Sequence, residues 1–189
     1  DELVGRCEYS EIYSGSFDGY MDCAQLDAEL MVVANNNQGN SFKKQVTALR
    51  GVTDSGATLV GGVTGTQANE RTQSIAKLTT LKYLTVGGDT TANNITAYVG
   101  TVPASGLPTP TEGTGVVIDG ANTSYCIRSE NISSEKVLVS YHRFSSADVV
   151  AHIVTASGTV PTDESSVTLS SGTIANSYNT GLAIINSTR

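Results

Sequence analysis

Tryptophan is absent from this 189-residue sequence, which also contains only 3 Cys, 4 Pro and 2 Met. No apolar run approaches the roughly 20 residues that a membrane-spanning helix needs, so we do not expect membrane insertion. Charged residues make up 15% of the sequence, and short blocks of Val, Ile, Leu and Tyr recur throughout, which argues against a disordered chain. Ser and Thr account for about a quarter of the residues, a composition typical of turn-rich β proteins.

Basic residues are scarce, and the formal net charge is −7. Residues 1–30 contain eight acids and one base, whereas acids and bases balance in the rest of the sequence. Only Lys43 and Lys44 are adjacent bases, and binding of phosphates needs clustered Lys and Arg, so nucleic acid is not an expected partner. The acidic segment is either an arm that docks on a basic partner surface or a solvated face that keeps an assembly soluble.

The three cysteines, Cys7, Cys23 and Cys126, are an odd number, so at least one is unpaired within the chain. Cys7 and Cys23 can close a loop, a pairing that would suit an oxidising compartment. We predict that Cys126 is a buried, unreactive thiol. The sequence has no CxxC pair or other zinc-site spacing, so we predict neither a metal site nor another cofactor.

The sequence pattern changes near residue 40. Apolar residues at spacings of three and four predict a short helix over residues 24–36, within an acidic arm that spans residues 1–40. Short β-branched blocks separated by turn signals predict a mainly β domain over residues 41–189, an antiparallel β-sandwich of jelly-roll or Ig-like type. Its strands are expected at residues 42–50, 57–64, 73–86, 94–99, 115–118, 123–128, 136–144, 148–155, 166–169 and 180–185.

Four aromatic residues of the arm are the candidate partner-binding residues. Tyr9, Tyr13, Phe17 and Tyr20 lie at spacings of three to four among acidic residues. Aromatic side chains supply much of the contact energy at protein interfaces. We predict that they anchor the arm on a neighbouring subunit or on the protein's own β domain. A glycan on a host surface is a weaker alternative, because Trp is absent.

The two histidines, His142 and His152, lie in strand-like segments on either side of Ala147. A hairpin centred on Ala147 would place the two rings opposite each other. We interpret both as solvent-facing side chains, because no third metal ligand is fixed nearby. No Gly-x-Ser-x-Gly motif accompanies the many serines, and the carboxylates at turns cannot be paired from sequence, so no catalytic residue is predicted.

Residues 94–141 resemble a known pattern. They contain strand-like residues 94–100, a Gly-Leu-Pro turn at 106–108, an Ile-Asp-Gly turn at 118–120 and an alternating segment at 137–141. This order is similar to a small β-sandwich that recurs in accessory structural proteins of tailed bacteriophages, such as head-fibre, decoration and tail-associated proteins. The resemblance implies a non-enzymatic virion component.

The predicted function is therefore structural. We expect a virion protein, assembled in the host cytoplasm, that forms homo-oligomers and docks on other virion proteins of a symmetric shell. One alternative is a secreted filament or adhesin subunit on a cell surface, assembled by strand exchange. A carbohydrate-binding module is the second alternative.

Overall fold

The computed structural model describes residues 21–37, 43–53, 56–64, 70–89, 92–106, 108–120, 127–143 and 146–171. These residues form β-strands joined by turns and loops, and they contain no helix. The strands are β1 (Met21–Asp27), β2 (Leu30–Asn37), β3 (Lys43–Thr53), β4 (Gly56–Thr64), β5 (Glu70–Thr79), β6 (Lys82–Asp89), β7 (Asn94–Thr101), β8 (Thr111–Glu112), β9 (Val116–Gly120), β10 (Arg128–Ser133), β11 (Lys136–His142), β12 (Val149–Thr155) and β13 (Thr162–Ser170). The prediction of a mainly β chain is confirmed.

The described strands form three antiparallel sheets, which we call the first, central and third sheets. The first sheet has the order β1-β2-β3-β4 and the third has the order β10-β11-β12-β13. The central sheet has the order β5-β6-β7, and both β8 and β9 pair with β7. In the first and third sheets, strands that follow each other in the chain are thus neighbours in space, as short connections favour. No Greek-key connection links the described strands, so the jelly-roll or Ig-like topology stays a prediction.

The central sheet lies between two apolar cores, because side chains alternate between the two faces of its strands. Leu84 of β6 packs with Val139 of the third sheet in one core. Its neighbour Tyr83 packs with Val32 of the first sheet in the other core. Strands β6 and β7 are consequently buried along nearly their whole length. This is the burial expected of strands that are covered on both faces.

The helix predicted over residues 24–36 is wrong, because these residues belong to the β1–β2 hairpin. The hairpin turns at Ala28 and Glu29, where Asp27 Oδ1 accepts a hydrogen bond of 2.8 Å from the Glu29 amide. Alternate residues of each strand, such as Leu26 and Leu30, face the core on both sides of this turn. Two patterns of period two joined by a short turn therefore produced spacings that resemble those of a helix.

Other predicted strands agree with the structure to different degrees. The segments 42–50, 136–144 and 148–155 correspond to β3, β11 and β12. The single strand predicted over 73–86 is wrong, because the chain turns at Thr80 and Leu81 between β5 and β6. Strand β2 lies within the expected arm, and it pairs with β3 of the expected β domain. The strand predicted at 180–185, and most of the one at 123–128, lie outside the described residues.

Candidate functional site

The two histidines lie on paired strands, but their rings are not opposite each other. In the β11–β12 pair, His152 is opposite Val139 and His142 is opposite Val149. The two histidines therefore lie on opposite faces of the third sheet. His152 is only 3% exposed, so the expectation of a solvent-facing side chain is wrong for this residue. His142 is half-buried on the other face.

His152 is the centre of a chain of polar contacts, which we call the His152 network. Its Nε2 lies 2.8 Å from the Tyr141 hydroxyl. That hydroxyl donates to Asp119 Oδ2 at 2.6 Å, and Arg143 Nε donates to the same oxygen at 2.8 Å. On its other side, His152 Nδ1 lies 3.1 and 3.2 Å from the two carboxylate oxygens of Asp163. The network thereby connects β9, β11, β12 and β13.

The hydrogen-bond directions in the His152 network follow from counting protons. The Tyr141 hydroxyl has one proton, and it donates this proton to Asp119. The hydroxyl oxygen therefore accepts from His152 Nε2, while the Asp163 carboxylate accepts from Nδ1. A ring with protons on both nitrogens satisfies all of these contacts.

This network is suited to holding strands together and not to covalent chemistry. Tyr141 is fully buried, and burial together with its hydrogen bond to Asp119 raises the pKa of its hydroxyl. The hydroxyl therefore stays protonated and is a poor nucleophile. The His152 ring contacts Tyr141 of β11 and Asp163 of β13, so we assign the ring a structural role. One consequence is that Asp163 connects β13 to the body of the third sheet.

A second polar cluster lies between the first and central sheets. Lys44 is 1% exposed, and its Nζ lies 2.9 Å from Glu112 Oε2. The same Nζ donates to Thr85 Oγ1 at 3.3 Å and lies 3.3 Å from the centroid of the Tyr98 ring. Thr85 Oγ1 in turn donates to Glu112 Oε1 at 2.7 Å. The buried charge is therefore paired and hydrogen-bonded, as a desolvated ion needs to be.

A third cluster connects all three sheets through short side chains. Ser74 Oγ of β5 donates to Asp22 Oδ2 of β1 at 2.9 Å. Ser129 of β10 donates to that same Ser74 oxygen through both its amide and its hydroxyl, each at 2.9 Å. The Ile75 amide donates to Asp22 Oδ2 at 3.0 Å. Such saturated buried hydrogen bonds fix the relative positions of strands.

Strand β13 differs from the other long strands because all nine of its residues are exposed. Its two large apolar side chains, Val167 and Leu169, are 57% and 58% exposed. Within the described residues β13 pairs with β12 alone, so its second edge has no neighbour there. An exposed edge strand with apolar side chains is a template on which another chain can pair. We therefore regard β13 as the candidate interaction surface.

The sequence-predicted partner-binding residues are not part of these clusters. Tyr9, Tyr13, Phe17 and Tyr20 lie outside the described residues, as do Cys7 and Cys126. Cys23, in β1, is disulfide-bonded. The proposed Cys7–Cys23 pairing stays a prediction, because Cys7 lies outside the described residues.

Sequence reasoning missed Lys44, Glu112 and Asp163. For Lys44 a signal was present, since it shares the alternating pattern of Val46 and Ala48, which places it on the buried face of β3. For Glu112 and Asp163 we find no comparable signal.

Within the described ranges, no three or more His, Cys, Asp or Glu residues are grouped so as to hold a metal ion. A helix long and apolar enough to cross a membrane is also absent from these ranges.

Comparison of the chain with protein-family models, with curated proteins and with solved structures gives no match. The functional interpretation therefore depends on the geometry of the polar clusters and of β13, and on the pattern in residues 94–141.

Proposed function

We propose that this protein is a non-enzymatic structural subunit of a virion, of the kind that decorates or joins parts of a phage particle, and that it acts by self-association. In this proposal the stacked sheets are the layers of an antiparallel β-sandwich. The resemblance of residues 94–141 to phage accessory proteins supports the class.

The observation that carries the proposal is the exposure of β13. A nine-residue strand with Val167 and Leu169 more than half exposed is costly to leave in water. Self-association would cover it. The polar clusters support the same interpretation, because their buried charged and hydroxyl groups bond to neighbouring strands and hold the sheets as a rigid scaffold.

Sedimentation velocity of the purified full-length chain over a wide concentration range tests this proposal. We expect oligomers that grow with concentration, and regular assemblies under negative stain. A variant tests whether the arm contributes to assembly, and it replaces Tyr9, Tyr13, Phe17 and Tyr20 by Ser. We expect this variant to stay folded but to assemble less. A chain that is monomeric at every concentration, and that forms no assembly under negative stain, would contradict the proposal.

A secreted cell-surface filament or adhesin subunit is the second candidate, and the disulfide at Cys23 favours it. Structural disulfides persist mainly in oxidising compartments. Intact-mass analysis of protein alkylated at the moment of cell lysis separates the two candidates. A native chain in which Cys23 is reduced supports assembly in the cytoplasm, whereas a native disulfide supports secretion.

A further inference from the structure

The geometry points to β13 as a two-fold interface, in which this strand pairs antiparallel with β13 of a second copy of the chain. The inference rests on the proposed self-association and names the strand and the partner that carry it. Two copies of the third sheet would then join, edge to edge, into one continuous eight-stranded sheet.

Exposure on both faces is the first argument for this interface. Val167 is opposite Ala151 of β12, so it lies on the face that points away from the core. Thr168 and Ser166 lie on the other face, opposite Val150 and His152, and both are also exposed. An edge strand has a row of unpaired backbone N–H and C=O groups, and pairing along the second edge would satisfy those of β13.

The charges of β13 favour a second copy in an antiparallel arrangement. Its only charged residues, Asp163 and Glu164, are at its beginning, and residues 165–171 are uncharged. Antiparallel pairing keeps the two acidic ends apart, whereas parallel pairing would bring four carboxylates together. Each acid also has a partner side chain within its own chain. Lys136 Nζ lies 2.8 Å from Glu164 Oε2, and His152 Nδ1 lies 3.1 Å from Asp163 Oδ1.

The pairing register of β13 with β12 indicates the centre of the interface. Register shifts interrupt the ladder between Asp163 and Ser165 and again between Thr168 and Ser170. Irregularities of this kind limit edge pairing to the regular residues between them. A two-fold axis at Val167 would use three of these regular residues, since it sets Val167 opposite its own copy and Ser166 opposite Thr168.

Val167→Lys is the first test, because it would set two like charges opposite each other. We expect its dimer dissociation constant to rise about tenfold or more, with an unchanged circular dichroism spectrum. Val117→Lys is the matched control, since Val117 is 50% exposed on β9, and we expect wild-type association from it. If Val167→Lys associates like the wild-type chain, this inference is wrong, while the broader proposal of self-association stands.

Val167→Cys tests the register. Opposed residues of an antiparallel pair are close enough for a disulfide, so mild oxidation should give a covalent dimer. Val117→Cys and the wild-type chain should give none. The inference would be overturned if the protein is monomeric and dimerises only after residues 172–189 are deleted. That result would show that these residues cover β13.

Discussion

Strands β7 and β13 have similar lengths and both contain Thr and Val, yet β7 is almost fully buried and β13 is fully exposed. The difference lies in the side chains on each face of the two strands. In β7, Val99 faces the core shared with the third sheet, and Tyr98 on the other face approaches Lys44 of the first sheet. In β13, the residues on the core side include Asp163 and Ser166 and offer nothing apolar to pack. Burial therefore follows the apolar content of each face, and not the β propensity of the strand.

Burial and exposure also distinguish two ion pairs, one beside β7 and one on β13. Lys44 and Glu112 are 1% and 8% exposed, whereas Lys136 and Glu164 are 46% and 38% exposed. Both pairs have short contacts of 2.9 and 2.8 Å. A buried pair is costly to break because the remaining charge has no water to solvate it, while an exposed pair contributes little. Removing one partner from each pair tests this difference directly.

Glu112→Gln should have the largest effect on stability. It leaves the Lys44 ammonium buried without its counter-charge, and we expect a loss of about 3–5 kcal/mol in the free energy of unfolding. Glu164→Gln is the control, because it removes the acid of the exposed pair, and we expect no measurable change. Urea denaturation of both variants checks this. Equal midpoints for the two variants would show that Lys44 and Glu112 are not desolvated in solution.

Gly100→Ala tests how closely the buried region is packed. A Cβ atom at Gly100 would lie 2.1 Å from Cζ of Tyr83, whose fully buried ring covers this glycine. Overpacking of this kind costs about 1–3 kcal/mol. Gly120→Ala is the matched change, since its Cβ would have no atom within 4 Å, and we expect a change within about 0.5 kcal/mol. Thermal unfolding of the two variants gives the comparison, and a similar loss in both would contradict it.

His152→Gln and His142→Gln should differ, although both histidines lie in the third sheet. Replacing His152 removes its ring contacts with the Tyr141 hydroxyl and the Asp163 carboxylate, and we expect a loss of about 1–3 kcal/mol. His142 Nε2 has no hydrogen-bond partner in the described part of the chain, so its replacement should change stability by about 0.5 kcal/mol or less. Urea denaturation measures both. Equal losses would show that the His152 network does not stabilise β13.

The fold could be predicted where alternation of apolar residues was regular. The alternating segment at 137–141 lies in β11, and its Val137, Val139 and Tyr141 are all fully buried. The hairpin of β1 and β2 could not be recognised, because its two-residue turn joins two alternating patterns into an apparent helical one. The two histidines are not opposite each other because of the geometry of the turn between β11 and β12. The Arg143 amide donates a hydrogen bond to the Asp148 carbonyl across this turn, and Ala147 has a φ of 57°. Neither feature can be predicted from composition.

The candidate site could be predicted only in part. The alternating pattern around Lys44 indicates a buried position, but its partner Glu112 is distant in sequence and meets it only because the first and central sheets stack. The exposure of β13 was also not predictable, since its Val167 and Leu169 resemble buried strand residues. Which strand is left without a covering layer depends on the order of the whole fold.

Glu130→Gln should have the smallest effect, and a pH-dependent one. Burial raises the pKa of the Glu130 carboxyl, and the nearby carboxylate of Asp22 raises it further. The folded state therefore binds this proton more tightly than the unfolded state, and ionisation of Glu130 disfavours folding at neutral pH. Because the group is largely exposed, we expect the variant to gain only a few tenths of a kcal/mol at pH 7. This gain should vanish as the pH falls through the folded-state pKa, where Glu130 is protonated. Urea denaturation of both chains at pH 7 and near pH 4 measures the difference, and a gain that persists in acid would contradict the role of ionisation.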